Sequence, residues 1–352
     1  MAGGQGRGRI GLVFEEWPAG HQAAWNAAIA DGDVFDGRGP AAHWAVATRK
    51  TNINQYGRWL GYLRQAGRLV GNEAPEGLVQ PETVKDYVRH LQAIVAPRTV
   101  VTLLVALKVT IKAMAPNSNW RWLADICNAL NRSAKPVTDK HSRILPSEEI
   151  FAATIAELDR LLTLPPGGRN RLCAYRNTLM IALMAARPLR LKNFAALKIG
   201  RDFLRNGTGW LIAIPGEDVK NGQPLEFEVI ECLVPYLETY LRDIRPPLMG
   251  NAEPSNDLWV AWGKAGISRR DVYFCFTRGT NRLLGAPINP HLFRDCAATS
   301  LSLISIAAAR AAAPLLGHQH FSTTERHYVR AQQLEASRTL NTVLSSIKSS
   351  VR

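Results

Sequence analysis

Near its C-terminal end the chain reads Pro314-Leu-Leu-Gly-His318-Gln-His-Phe-Ser-Thr-Thr-Glu-Arg-His-Tyr328, placing a histidine ten positions before a tyrosine. A little upstream it reads Asn289-Pro-His291-Leu-Phe-Arg294-Asp-Cys-Ala-Ala-Thr-Ser300, with a histidine three positions before an arginine. Histidines, an arginine and a tyrosine gathered in one basic region suit covalent chemistry on a phosphodiester. Transfer of a phosphoryl group to a side chain needs a nucleophile and cations around the non-bridging oxygens. It also needs an acid for the leaving oxygen and a route for the nucleophile's proton. Arginine fits the second task because its planar guanidinium makes paired hydrogen bonds and keeps its proton.

Each part has an ordinary reading beside the chemical one. A tyrosine on a helix is most often a core residue, but Tyr328 is flanked by Arg326, His327 and Arg330, which argues against burial. His291 and Arg294 stand one helical turn apart and share a face, an arrangement many surface helices carry. His318 follows Gly317, a residue suited to end a helix and open a turn. A further arginine is expected where Pro188 breaks the chain after a strongly apolar helix. Arg190 then starts a short new helix, whose dipole favours an anion, and Arg187 is its competitor. For the acid, Lys220 lies on the loop Pro215-Gly-Glu-Asp-Val-Lys-Asn-Gly-Gln223 of a hairpin, where a lysine ordinarily only aids solubility.

These residues must be held by a larger frame. From Ser147 onward, helical segments are expected at 150–162 and 169–186, then the period changes to alternation at 202–205, 210–214 and 225–229. The turn pairs Asn206-Gly207 and Asn221-Gly222 separate these strands. Helical stretches come next at 232–242, 268–284, 291–304 and 305–316, with a last helix from about Ser322. Upstream, a short helix at 19–30 carries Trp25, and four amphipathic segments come after it. They begin near Thr48, at Pro81 (an N1 proline), at Arg98 and near Asn119, and short connections make them a helical bundle. The apolar pattern lapses over Ser133–Arg143, which is polar, basic and broken by proline, as a linker or plain exposed loop would be. The expected architecture is mainly α with a small antiparallel β-sheet in the C-terminal domain. Its domains are residues 1–132, a linker at 133–146, and residues 147–352.

Composition bounds the partners. The 352 residues carry a formal charge of +14, with 46% hydrophobic and 20% charged residues, as a globular protein that favours an extended polyanion would. No uninterrupted apolar run reaches the length of a membrane span, and the N-terminus lacks the apolar stretch of a secretory signal. The five cysteines are scattered with no CxxC, so no metal site or disulfide framework is expected. Buried thiols in a reducing cytosol are the expectation for all five.

The full pattern resembles the tyrosine recombinase (phage integrase) family. Its boxes correspond here to Pro188-Leu189-Arg190, Lys220 before Asn221-Gly222, His291-Leu-Phe-Arg294, Leu316-Gly317-His318 and Thr323-Thr324-Glu-Arg-His-Tyr328. The resemblance covers residues 147–352 in detail and the N-terminal helices more loosely, as a core-binding domain. It implies that Tyr328 attacks the scissile phosphate, leaving a 3′-phosphotyrosyl link and a free 5′-hydroxyl. Arg190 and Arg294 would hold the non-bridging oxygens, with a further hydrogen bond from His318. Lys220 would protonate the leaving oxygen, and His291 would assist proton removal from Tyr328. No cofactor and no metal are implied. Two positions depart from the family: Asn193 stands where an acidic residue is usual, and Asp295 where a histidine is common.

The resemblance further implies a two-domain clamp on double-stranded DNA, with Arg49, Lys50, Arg58, Arg98, Arg121 and Lys140 as candidate phosphate contacts. The partners would be a specific recombination site and four protomers across two such sites, with a monomer or dimer on a single one. Accessory DNA-bending or directionality factors are a further partner class, and the setting would be the bacterial cytoplasm, at the nucleoid. The apolar stripe Leu340, Val343, Leu344 and Ile347 either docks on its own domain or links neighbouring subunits. Integration or excision of a mobile element is the expected biology. A type IB topoisomerase or telomere resolvase using the same chemistry, or a catalytically silent DNA-binding protein, stands as the alternative.

Overall fold

The computed structural model describes residues 11–32, 37–71, 73–135, 143–165, 167–220 and 222–304. The chain divides into two compact units, Met1–Thr138 and Asp139–Arg352. Among the described residues no helix is long and apolar enough to cross a membrane.

The N-terminal unit is all helix: α1 (Ala19–Ile29), α2 (Val46–Gln65), α3 (Pro75–Leu78), α4 (Pro81–Ile94), α5 (Pro97–Met114) and α6 (Arg121–Ser133). Three of the six open on a proline, whose missing N–H is no loss in the first turn. The sequence reading ends α4 at Pro97 and starts the next helix at Arg98; in the structure Pro97 itself is the first residue of α5. The core is aromatic. Trp17 packs edge-on against Trp25 and Tyr56, and Trp59 against Tyr87 at 5.0 Å. Gly57 lets residue 12 lie directly on α2: a Cβ there would fall 2.1 Å from the Leu12 carbonyl oxygen.

The C-terminal unit is built on α8 (Arg169–Ala186), buried without interruption from Thr178 to Ala185, with α7 (Ser147–Thr163) beside it. After the short α9 (Leu191–Ala195) comes an antiparallel sheet in the order β1 (Phe203–Asn206), β2 (Gly209–Ile214), β3 (Leu225–Glu228). Phe203 faces Ile212, and Ile212 faces Phe227. Gly207, at φ +56°, supplies the left-handed residue that the tight β1–β2 turn needs.

The expected helix at 232–242 is broken instead. A 3-10 turn (Glu231–Leu233) leads into α10 (Val234–Thr239), a π turn (Tyr240–Ile244) and α11 (Arg245–Met249). Pro246 and Pro247 explain the break. They lack the N–H groups an α-helix needs, and their rings crowd the carbonyls four residues back. The chain widens, and the Arg245 N–H donates to the Tyr240 carbonyl five residues earlier. Cys232, on the 3-10 turn, is exposed, and Cys173 and Cys275 are half-buried, so the expectation of five buried thiols holds only for Cys127 and Cys296. The described part closes with α12 (Arg269–Leu284), capped by Ser268 and ended by Gly285 at φ +69°, and α13 (Pro290–Ile304).

Candidate active site

The first arginine is positioned by a turn and a short helix. Pro188 and Leu189 are buried at the end of α8, and Arg190 comes next, in extended conformation, as the residue that opens α9. One turn on, Phe194 is fully buried and stacked on Trp259, with centroids 5.3 Å apart and planes 16° apart. Phe194 also meets Phe276 of α12 at 5.3 Å, and Phe276 meets Phe293 of α13 at 5.4 Å. Phe293 is the neighbour of Arg294. A chain of buried rings therefore links the segments that carry the two arginines, although 104 residues separate them in sequence.

The second arginine closes the link. The Arg294 Nη1 donates to the Pro188 carbonyl at 2.8 Å, in the same turn that presents Arg190. Burial pushes the Arg294 guanidinium down to about 10, the positive charge of Arg190 adds to the fall, and Asp295 opposes it. At neutral pH it remains charged, so the folded chain carries two neighbouring cations, one of them poorly hydrated. A phosphate placed between them could meet both guanidiniums through paired N–H bonds.

Asn289 starts α13, its Oδ1 accepting from the backbone N–H of His291 at 3.0 Å and of Leu292 at 3.1 Å. His291 is exposed on this first turn, while Arg294 is half-buried on the next. The approach to the helix is pinned from α12: the buried Ile288 N–H donates to Thr280 Oγ1 at 2.8 Å, and the Thr280 hydroxyl donates to the Phe276 carbonyl. At the other end, the Ser147 N–H donates to Ser300 Oγ and ties the start of α7 to α13.

Lys220 is exposed on the loop between β2 and β3, directly after the buried Val219. The loop crosses itself closely, since a Cβ on Gly216 would lie 2.4 Å from the Gly222 carbonyl oxygen. Asp218 anchors its base through Arg201 at 2.5 Å. Arg187, the competitor of Arg190, points elsewhere: it donates to the carbonyls of Glu228 and Ala186, binding the end of α8 to β3. Asn193 is buried, and its Nδ2 has no hydrogen-bond partner among the described residues.

The structure thus brings Arg190 and Arg294 together. His318, Tyr328, the stripe from Leu340 to Ile347, Lys140 and most of the stretch Ser133–Arg143 lie outside the described residues. In the N-terminal unit Lys50, Arg98 and Arg121 are exposed, and Arg98 donates to the Asn131 side chain. Arg49 is occupied by the carbonyls of Trp44 and Ala42, and Arg58 is half-buried. Sequence reasoning missed the supporting residues Phe194, Phe276, Thr280 and Asn289. Only Asn289 left a local signal, as a capping residue ahead of a proline; the others act through contacts between distant segments. No group of three or more His, Cys, Asp or Glu side chains suited to a metal occurs among the described residues.

A sequence model of the phage integrase family matches residues 155–335. That span encloses Arg190, Lys220, His291, Arg294, His318 and Tyr328. The tyrosine recombinase XerD of Ralstonia nicotianae is 32% identical over 158 residues, which are 43% of this chain and 47% of that protein. The chain therefore matches about half the length of this curated relative. Among solved structures, the pre-cleavage complex of the XerH site-specific recombinase with its difH substrate superposes with TM-score 0.52 at 16% identity. It covers 78% of this chain and 75% of that one. The Tn1549 transposon integrase in complex with circular intermediate DNA gives TM-score 0.52 at 14% identity, over 84% of this chain and 96% of that one. At such identities the likeness is one of fold.

Proposed function

The chain belongs to the phage integrase family, and from that premise we propose that it is a site-specific DNA recombinase that cuts and rejoins strands through a 3′-phosphotyrosyl intermediate. The observation that carries the reading is the joined pair Arg190 and Arg294, two cations held side by side at the cost of hydration. Such a pair suits the two non-bridging oxygens of a phosphodiester, whose displacement is a problem of charge and alignment. Tyr328 attacks the phosphorus, and the P–O5′ bond breaks as the phenolic ester forms. The phenolic proton leaves with help from His291, and Lys220 gives a proton to the departing 5′ oxygen. His318 adds a hydrogen bond to the phosphate. The energy of the broken ester stays in the new one, so a 5′-hydroxyl from another strand can reverse the step and exchange partners, with no call for a nucleotide.

In this reading residues 1–132 form a DNA-binding domain, residues 133–146 a linker and residues 147–352 the catalytic domain. Lys50, Arg98 and Arg121 face DNA phosphates, together with Lys140 and Arg58, while Arg49 clips the backbone carbonyls of Trp44 and Ala42. Four protomers assemble on two paired sites, aided by accessory bending or directionality factors, to integrate or excise a mobile element. The like-folded Tn1549 transposon integrase supports the last point by analogy alone.

The test is a nicked suicide substrate cut from DNA flanking the protein's own gene, incubated with the full chain and with Tyr328→Phe. A covalent protein–DNA band from the first and none from the second is expected. A band of equal strength from both would remove Tyr328 from its role, and none from either would leave a protein that binds DNA without cutting it. Relaxation of a supercoiled plasmid lacking the site would instead mark a topoisomerase.

A further inference from the structure

A second concentration of guanidiniums lies in the cleft between α8 and α12. A cavity of about 430 Å3 there is lined by Arg169, Arg176 and Thr178 from α8 and by Asp271, Arg278 and Arg282 from α12. Among its lining residues, four arginines face a single carboxylate. Arg176 is only 5% exposed. It donates to the Val260 carbonyl at 2.6 Å and to Asn177 Oδ1 at 3.0 and 2.7 Å, with Cys275 Sγ at 3.8 Å, and every one of these acceptors is neutral. A buried charge ordinarily meets an opposite one. Asp271 is exposed and engaged by the Ser268 hydroxyl. Glu157 reaches Arg282 at 3.5 Å but is already paired with Nε and Nη2 of Arg160.

Thr178 adds an independent observation. Its side chain is 1% exposed, and its hydroxyl has no hydrogen-bond partner among the described residues. Buried hydroxyls rarely go unpartnered. Gly279 sets the width of the cleft, because a Cβ there would fall 2.6 Å from Ile181 Cδ1 and hold the two helices apart. At the rim, the Phe274 ring carries the Arg278 guanidinium at 5.1 Å and that of Arg270 at 5.7 Å. The cleft is distinct from the Arg190–Arg294 pair: Arg176 precedes the end of α8 by ten residues, about 15 Å of helix.

We propose that the α8–α12 cleft is a second anion site that takes a phosphate group, with charge from Arg176 and Arg278 and a hydrogen bond from Thr178. Guanidiniums pair with phosphate oxygens through two parallel N–H bonds. The phosphate comes either from the backbone of a nucleic acid or from a small free anion. The inference does not depend on strand cleavage, and failure to trap a covalent adduct leaves it standing.

Its test uses the full chain carrying Arg190→Gln and Arg294→Gln, so that the first pair is silent. Inorganic phosphate is titrated at constant ionic strength while thermal unfolding is followed. Binding should raise Tm by about 2–4 °C at tenfold excess over Kd, and both Arg278→Gln and Thr178→Val should abolish the rise. If phosphate alone has no effect, binding to an arbitrary duplex is measured against salt. A slope smaller by about 1 in Arg278→Gln then assigns the site to a nucleic-acid phosphate. Absence of both effects overturns the proposal, as does a phosphate response that Arg278→Gln and Thr178→Val leave intact.

Discussion

The two units place their candidate phosphate-binding cations differently. In the N-terminal unit Lys50, Arg98 and Arg121 stand in solvent, and Arg49 is spent on backbone carbonyls as a structural clip. In the C-terminal unit Arg176 is nearly inaccessible, and Arg294 is drawn out of water beside another cation. Solvated charges are individually weak and sensitive to salt, and their effects on a polyanion add. Desolvated charges are strongly coupled to their surroundings and costly until an opposite charge arrives. On the function proposed above, the contrast separates residues that would hold a long partner in general from residues that would act at one phosphate.

That contrast breaks if Arg294 proves dispensable. Arg294→Gln should slow formation of the covalent adduct by about 10³-fold, while Tm changes by less than about 2 °C. Quench-flow on the suicide substrate, with calorimetry on the same sample, reads both. Loss of stability together with activity would mean that the guanidinium is mainly a structural tie to the Pro188 carbonyl. Thr280→Val sharpens the comparison from within the C-terminal unit. It leaves the buried Ile288 N–H without an acceptor, a cost of about 1–3 kcal/mol. A lower Tm and slower cleavage are expected, with duplex affinity unchanged; weaker binding would show that the loop ahead of α13 contacts DNA. The smallest effects belong to the N-terminal unit. Lys50→Ala and Arg121→Ala should each weaken duplex binding a few-fold and reduce the salt slope by about 1. Arg49→Ala should lower Tm and leave the slope alone. A slope change for Arg49 in fluorescence anisotropy would place it among the solvated contacts after all.

Local signals in the sequence reached far into this fold. The bounds of α8 at Arg169 and Ala186 are those its periodicity predicts, and the three strands fall within one residue or two of their alternating segments. Prolines and glycines marked helix starts and hairpin turns because their backbone preferences act on their own residues. The supporting rings were not legible, since Phe194, Phe276 and Phe293 read as ordinary core residues until the fold brings them together. The choice between Arg187 and Arg190 likewise turns on whether a guanidinium meets β3 or α13, a matter of tertiary geometry. Arg176 did leave a trace: a charge inside the apolar stripe of a central helix is an anomaly that periodicity can flag. Cys232 misled because its apolar neighbours Leu233 and Val234 turn inward while the thiol turns out.

The widened turn at Tyr240 carries one amino acid more than an α-helical path would need, and that surplus aims the Tyr240 phenol at the Leu258 carbonyl, next to the indole of Trp259 on which Phe194 rests. Excising a single position between Arg242 and Ile244 would rotate the side chains before the cut by about 100° against those after it. The ring contacts beneath Arg190 would then lose their outermost member, so a deletion outside the segments of Arg190 and Arg294 reaches that pair without altering either residue.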